Sequence, residues 1–219
     1  MEIWIDSRLW HSEKAPSPIE VTLSGILIDA STGRVLYERL PDERALIAST
    51  TKIMTALIVL ENCSLEENGS VKSEHTKVEG SSMYLRCGGE YTVEDLLHGL
   101  MLASGNDAAA ALADHVAGSM EDFAALMNKK CRELSLENTH FENAHGLDGE
   151  DHYSSARDLA LLTAAAMENE SFCRIFSCAS YSVDGKVYHN HNKLLDSLPG
   201  CIGGKTGYTK AAGRALVTC

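Results

Sequence analysis

Strand-forming patterns occupy the two ends of this 219-residue chain and helical patterns fill its middle, and that order restricts the folds open to it. Val21 to Asp29 and Arg34 to Glu38 flank the turn Ser31-Thr32-Gly33 and read as a hairpin. Near the other end, Tyr181-Ser182-Val183 and Lys186-Val187-Tyr188 flank Asp184-Gly185, a two-residue hairpin signal. Lys205-Thr206 and Ala211 to Thr218 read as further strands. Between them the spacing predicts helices from Ser49 to about Glu61, after Thr92-Val93-Glu94-Asp95 (a capping-box start), over Asn106–Val116, Met120–Leu134 and Ser155–Met167, then a shorter one. Ser64 to Ser82 reads as irregular structure or short strands. The simplest architecture is α/β of the α+β kind: one antiparallel sheet built from both chain ends, with flanking helices and an inserted all-helical lobe. Residues 1–19 read as a leader or loose first element, and 20–219 as one domain.

Net charge is −12 and no basic block occurs, which argues against nucleic acid as a partner. It also means that an anionic ligand must be held by local positive groups. The longest apolar run, Ile53 to Leu60, is too short to span a bilayer. Met1 to Asp6 lacks the basic and apolar regions of a signal peptide, so the chain is either cytoplasmic or without its targeting segment. Seven cysteines occur without any Cys-x-x-Cys, and free buried thiols are expected rather than a zinc site. His189-Asn190-His191 has no third ligand suitably spaced, so no metal or cofactor is expected.

Ser49-Thr50-Thr51-Lys52 runs into the apolar segment, which places Lys52 one helical turn from Ser49 on the same face. A hydroxyl and an amine held this way are the parts of an activated serine nucleophile. Alone the pattern is weak, since roughly one Ser-x-x-Lys is expected by chance in a chain of this size. Two further motifs change its weight. Ser104-Gly105-Asn106 follows 55 residues after Ser49, and Lys205-Thr206-Gly207 lies 101 residues after Ser104. In this order they form the three-part signature of penicillin-binding proteins and class A β-lactamases.

The surroundings are similar to the low-molecular-mass penicillin-binding proteins that act as serine D-alanyl-D-alanine carboxypeptidases. The likeness rests on Ala48 to Leu57, Val93 to Leu97 leading to Ser104-Gly105-Asn106-Asp107-Ala108-Ala109, Asn143-Ala144-His145-Gly146-Leu147-Asp148, and Lys205 to Thr209 with Ala212-Gly213-Arg214. It covers roughly residues 20 to 219. The resemblance implies a β-lactamase/transpeptidase-like fold and removal of the terminal D-alanine of peptidoglycan stem peptides. It implies penicillins as covalent inhibitors, an extracytoplasmic place at the outer face of the membrane, and no cofactor. Ser49 would form the acyl-enzyme and Lys52 would take its proton. A free lysine has a pKa of about 10.4, so burial and a second cation, Lys205, would have to lower it. Ser104 would relay a proton to the leaving amine, and Asn106 would orient Lys52 and the substrate amide. Lys205 and Thr206 would hold the substrate carboxylate. Gly207, with Gly203 and Gly204, would admit substrate backbone, and the N–H groups of Ser49 and Tyr208 would form the oxyanion hole. His145 is expected to order a loop near the site.

A β-lactamase would need a deacylating glutamate, and Glu133 and Glu137 lie in a context unlike that loop. D,D-endopeptidase activity is a close variant, and a penicillin-binding sensor or inactive wall-binding fragment is an alternative of another class. Only 12 residues follow Gly207, whereas the resemblance implies further strands and a C-terminal helix. The expectation is therefore a C-terminally truncated domain whose sheet has an unpaired edge and whose stability or activity is compromised.

Overall fold

The computed structural model describes residues 2–5 and 23–219. In chain order its elements are β1 (Glu2–Ile5), β2 (Gly25–Asp29), β3 (Val35–Arg39), α1 (Lys52–Asn62), β4 (Asn68–Ser70), β5 (Glu90–Thr92), α2 (Val93–Leu102), α3 (Asn106–Ala117), α4 (Met120–Glu133), α5 (Ala156–Ala166), α6 (Glu170–Phe176), β6 (Ser180–Val183), β7 (Lys186–His189), α7 (Leu194–Ser197), β8 (Gly204–Thr209) and β9 (Gly213–Thr218). A 3₁₀ turn, Ala48–Thr51, leads into α1.

The main sheet is antiparallel and has the order β3-β2-β1-β9-β8, so strands from the two chain ends meet as the end-strand pattern requires. The expected leader 1–19 contributes β1 to that sheet, and its other residues lie outside the described ones. The sheet is expected to have an unpaired edge; β3 and β8 are its edge strands, and the last strand lies inside it. Thr218 of β9 faces Gly204 of β8 on one side and Trp4 of β1 on the other. The hairpin at Asp184-Gly185 forms, with both turn residues at positive φ (50° and 74°), but β6 and β7 make their own two-stranded sheet.

Local chemistry accounts for the helix starts. Thr92 and Asp95 form the capping box that opens α2, and Ser119, Ser155 and Asn169 cap α4, α5 and α6. Helix α1 differs, because every residue from Lys52 to Val59 is buried. A helix that is apolar all round belongs inside a core. Burial of Ile53, Met54, Leu57, Ile58 and Val59 stabilises the fold by about 1.5–3 kcal/mol per side chain. That gain offsets the desolvation of the lysine at the helix start. The sheet packs on α5 through β2, and β8 packs against the 3₁₀ turn, which sets Ser49 at the junction of sheet and helical lobe.

Candidate active site

Four segments converge at the start of α1. The 3₁₀ turn brings Ser49, half-buried, and α1 brings Lys52, which has no exposed surface. The α2–α3 connection brings Ser104 and, at the first residue of α3, Asn106, and β8 brings Lys205, Thr206, Gly207 and Tyr208. Two non-glycine residues in these loops sit in the left-handed region, Ala48 (φ 47°) just before Ser49 and Ser104 (φ 56°). Such conformations cost about 1–3 kcal/mol and persist where the surroundings over-determine them.

Lys52 is the hub. Its Nζ lies 2.9 Å from Ser49 Oγ, 2.7 Å from Asn106 Oδ1 and 2.6 Å from the His145 carbonyl. Burial, then the charge of Lys205, hold its pKa well below the ordinary lysine value, and Asp107 acts in the opposite sense. A neutral amine has two N–H groups and one lone pair. The Asn106 and His145 oxygens can only accept, so they use both N–H groups and leave the lone pair to the Ser49 hydroxyl.

Lys205 is also buried, 1% exposed, and burial lowers its pKa to about 7. Its Nζ donates to Ser104 Oγ (3.0 Å) and to the Thr206 carbonyl (2.9 Å). Lys52 with Ser49 and Lys205 with Ser104 thus form two hydrogen-bonded pairs, coupled by the charge that Lys205 exerts on Lys52. Asn106 Nδ2 donates to Glu79 O (2.6 Å), so one of its N–H groups is already engaged with protein. Gly207 lies so close to the 3₁₀ turn that a Cβ there would stand 2.9 Å from Ile47 O and 3.0 Å from Ser49 N. Tyr208 is 65% exposed and faces Arg214 across the β8–β9 ladder.

The structure brings Ser49, Lys52 and Asn106 together, sets Lys205 on Ser104 and Gly207 against the turn at Ser49, and leaves Thr206 and Tyr208 as their neighbours along β8. It also shows three supports that the motifs did not reveal. Asp107, fully buried, accepts from Ser82 Oγ, Met83 N, Leu85 N and Ala108 N, which pins the segment beside Ser104. The loop 143–148 is tied to α1 by Thr55 Oγ1 donating to Ala144 O, and to β8 by Thr209 Oγ1 donating to Asp148. His152 takes the Glu142 N–H on Nδ1, so its proton is on Nε2, 2.8 Å from Thr51 Oγ1. Burial next to Lys52 lowers the His145 pKa to about 3, so its ring is neutral and it is the backbone carbonyl that serves the site. The negatively charged carboxylate right after Ser-x-Asn was the available signal for Asp107. Nothing local marks a carbonyl as an acceptor.

All seven cysteines are free, as expected, but only Cys131 and Cys219 are buried, and Cys87 is exposed. Among the described residues no helix is long and apolar enough to cross a membrane.

The D-alanyl-D-alanine carboxypeptidase family model matches residues 12–219. The chain is 41% identical to the D-alanyl-D-alanine carboxypeptidase DacF of Bacillus subtilis over 86% of its own length and 51% of that protein. It is 35% identical to DacB2 of Mycobacterium tuberculosis, another D-alanyl-D-alanine carboxypeptidase, over 98% of this chain and 75% of that one. A mutant of a Streptomyces DD-transpeptidase superposes with a TM-score of 0.84 at 30% identity, over 90% of this chain and 88% of the other. The chain spans about half the length of several of the curated relatives it matches.

Proposed function

The chain belongs to the D-alanyl-D-alanine carboxypeptidase family, and from that premise we propose that it cleaves the terminal D-alanine from peptidoglycan stem peptides through an acyl-enzyme on Ser49. The observation that carries this reading is the buried Lys52 amine 2.9 Å from the Ser49 hydroxyl, its pKa held well below the ordinary lysine value.

The steps follow from that contact. Ser49 Oγ attacks the carbonyl of the penultimate D-alanine while its proton passes to the Lys52 lone pair. The new C–O bond forms, and negative charge gathers on the former carbonyl oxygen. The Ser49 and Tyr208 N–H groups would stabilise it, with Gly207 allowing the strand to approach the turn. The peptide C–N bond then breaks. Ser104 would pass its proton to the departing amine and take one from Lys205, which donates to it; the proton that Lys52 took from Ser49 keeps the site's total unchanged. Water attacks the ester in the second half and restores Ser49.

Substrate orientation rests on charge. The leaving residue carries a free carboxylate, and the chain as a whole is acidic. Lys205 would supply positive potential at β8, and Thr206, half-buried beside it, offers a hydroxyl. We place the action of the whole protein in the cell envelope, where this substrate lies, with β-lactams as inhibitors that acylate Ser49.

Release of D-alanine from a stem-pentapeptide analogue tests the proposal. Turnover that is lost in Ser49→Ala supports it. Hydrolysis of penicillin at a fast rate without D-alanine release would favour a β-lactamase instead.

A further inference from the structure

Cys63, Glu67 and His115 meet at the end of the helical lobe remote from Ser49, with one donor atom of each within 4.8 Å of the others. We propose that these three side chains bind a divalent cation of the zinc class, with water completing the coordination.

The donor set carries the assignment. A thiolate, an imidazole and one carboxylate suit zinc and its neighbours in the first transition row, and suit calcium or magnesium poorly. A tetrahedral zinc site, with bonds of about 2.0–2.3 Å, separates its donor atoms by roughly 3.3–3.8 Å. Closing from the present spacing needs side-chain movement only. His115 Nε2 and Glu67 Oε2 already lie 3.2 Å apart. The Cys63 thiol is half-buried and makes no hydrogen bond among the described residues, although it faces both groups. On binding, its proton passes to solvent as the metal–sulfur bond forms.

The scaffold is fixed before any ion arrives. Cys63 ends α1, its N–H bonded to Val59 O. Ser64 N donates to Glu67 Oε1 (2.6 Å), and Val93 N to Glu67 O (2.8 Å). His115 stands in the last turn of α3. The missing Cys-x-x-Cys spacing argued against zinc along the sequence, but these donors are joined by folding and not by local spacing.

The position gives the ion a purpose. Helix α1 begins with Lys52 and is capped at its end by Cys63, and α3 begins with Asn106 and reaches His115 near its end. At 1.5 Å per residue the ligands lie about 13–17 Å along the helices from the groups they share them with. A cation here would staple together the far ends of the two helices that supply Lys52 and Asn106. It would stabilise the lobe without touching the reaction.

The test is titration of the reduced, chelator-stripped chain with Co²⁺, followed by displacement with Zn²⁺. The expected result is one equivalent of Co²⁺ with an intense near-ultraviolet thiolate band that Zn²⁺ abolishes. That band disappears in Cys63→Ser and is unchanged in Cys87→Ser. Affinity falls tenfold or more in His115→Ala and Glu67→Gln. Zinc raises the Tm of the unmodified chain and not that of His115→Ala, while penicillin labelling is retained in both. The two variants at partly exposed positions keep the test decisive should Cys63→Ser not fold. Absence of a stoichiometric cobalt spectrum, or a band that survives Cys63→Ser, would overturn the site.

Discussion

The Lys52 amine meets the Ser49 hydroxyl at 2.9 Å with its two N–H groups committed elsewhere, to Asn106 Oδ1 and the His145 carbonyl. The contact is thus directional, because only the lone pair is left for the serine proton. Burial and the charge of Lys205 hold the Lys52 pKa well below the ordinary lysine value, which favours the neutral amine.

Removing the second cation alters the base. In Lys205→Gln the repulsion that lowers the Lys52 pKa is gone, so that pKa rises. The acid limb of the pH profile for penicillin acylation is expected to move to higher pH. A profile that only drops in height, without shifting, would mean that Lys205 acts on the ligand alone.

Adding an anion has the same sign and a larger effect. Asn106→Asp places a carboxylate where the amide oxygen now lies 2.7 Å from Lys52 Nζ, which favours the ammonium form. Acylation at neutral pH is expected to fall by about 10²-fold, in the range typical of losing a general base, and to recover partly as pH rises. Stopped-flow acylation rates between neutral and alkaline pH check this.

The strand–helix–strand order of the chain was legible from local pattern, because alternation, turn residues and caps act within a few positions. The Asp184-Gly185 hairpin and the Thr92–Asp95 capping box are examples. Ser49, Lys52, Ser104, Asn106 and Lys205 were legible because their chemistry is written in side chains at motif spacing. The His145 carbonyl, the Asp107 anchor and the pairing of β9 with β1 were not, since each depends on which segments meet after folding. The same reason hid the meeting of Cys63 with His115.

The loop 143–148 tolerates no side chain at its glycine. Gly146 has φ +87°, and a Cβ there would lie 2.0 Å from Ala48 O, next to the nucleophile. Gly146→Ala is expected to destabilise the chain by about 3 kcal/mol or more and to abolish acylation. Gly33→Ala is the control. Its φ is +71° but nothing lies within 4 Å of the added methyl, so it should cost only about 1–2 kcal/mol and leave acylation intact. Denaturant unfolding and penicillin labelling of both variants separate strain from clash.

Stability should fall steeply with acid because burial lowers the pKa of five histidines among the described residues, His75, His98, His145, His152 and His191, three of them strongly. Burial lowers the pKa of His98 to about 4, of His152 to about 4 and of His145 to about 3. Each folded value is below the unfolded value of about 6.5, so the unfolded chain binds protons that the folded chain refuses. Their contribution is complete above pH ~6.5 and is lost as pH drops towards 4, at up to about 1.4 kcal/mol per pH unit for each group. His98 also leaves both ring nitrogens without a hydrogen bond while stacked on Tyr181 at 3.6 Å. His98→Phe keeps the stacking, removes the orphaned atoms, and is expected to raise stability by about 1 kcal/mol and to flatten the acid slope. Urea unfolding across this pH range measures both effects.

The most direct measurement is labelling with a penicillin followed by mass-spectrometric location of the adduct. One penicilloyl group is expected on the peptide that contains Ser49, absent in Ser49→Ala and formed much more slowly in Lys52→Ala. An adduct on another residue, or labelling undiminished in Ser49→Ala, would contradict the assignment of Ser49 as nucleophile and Lys52 as its base.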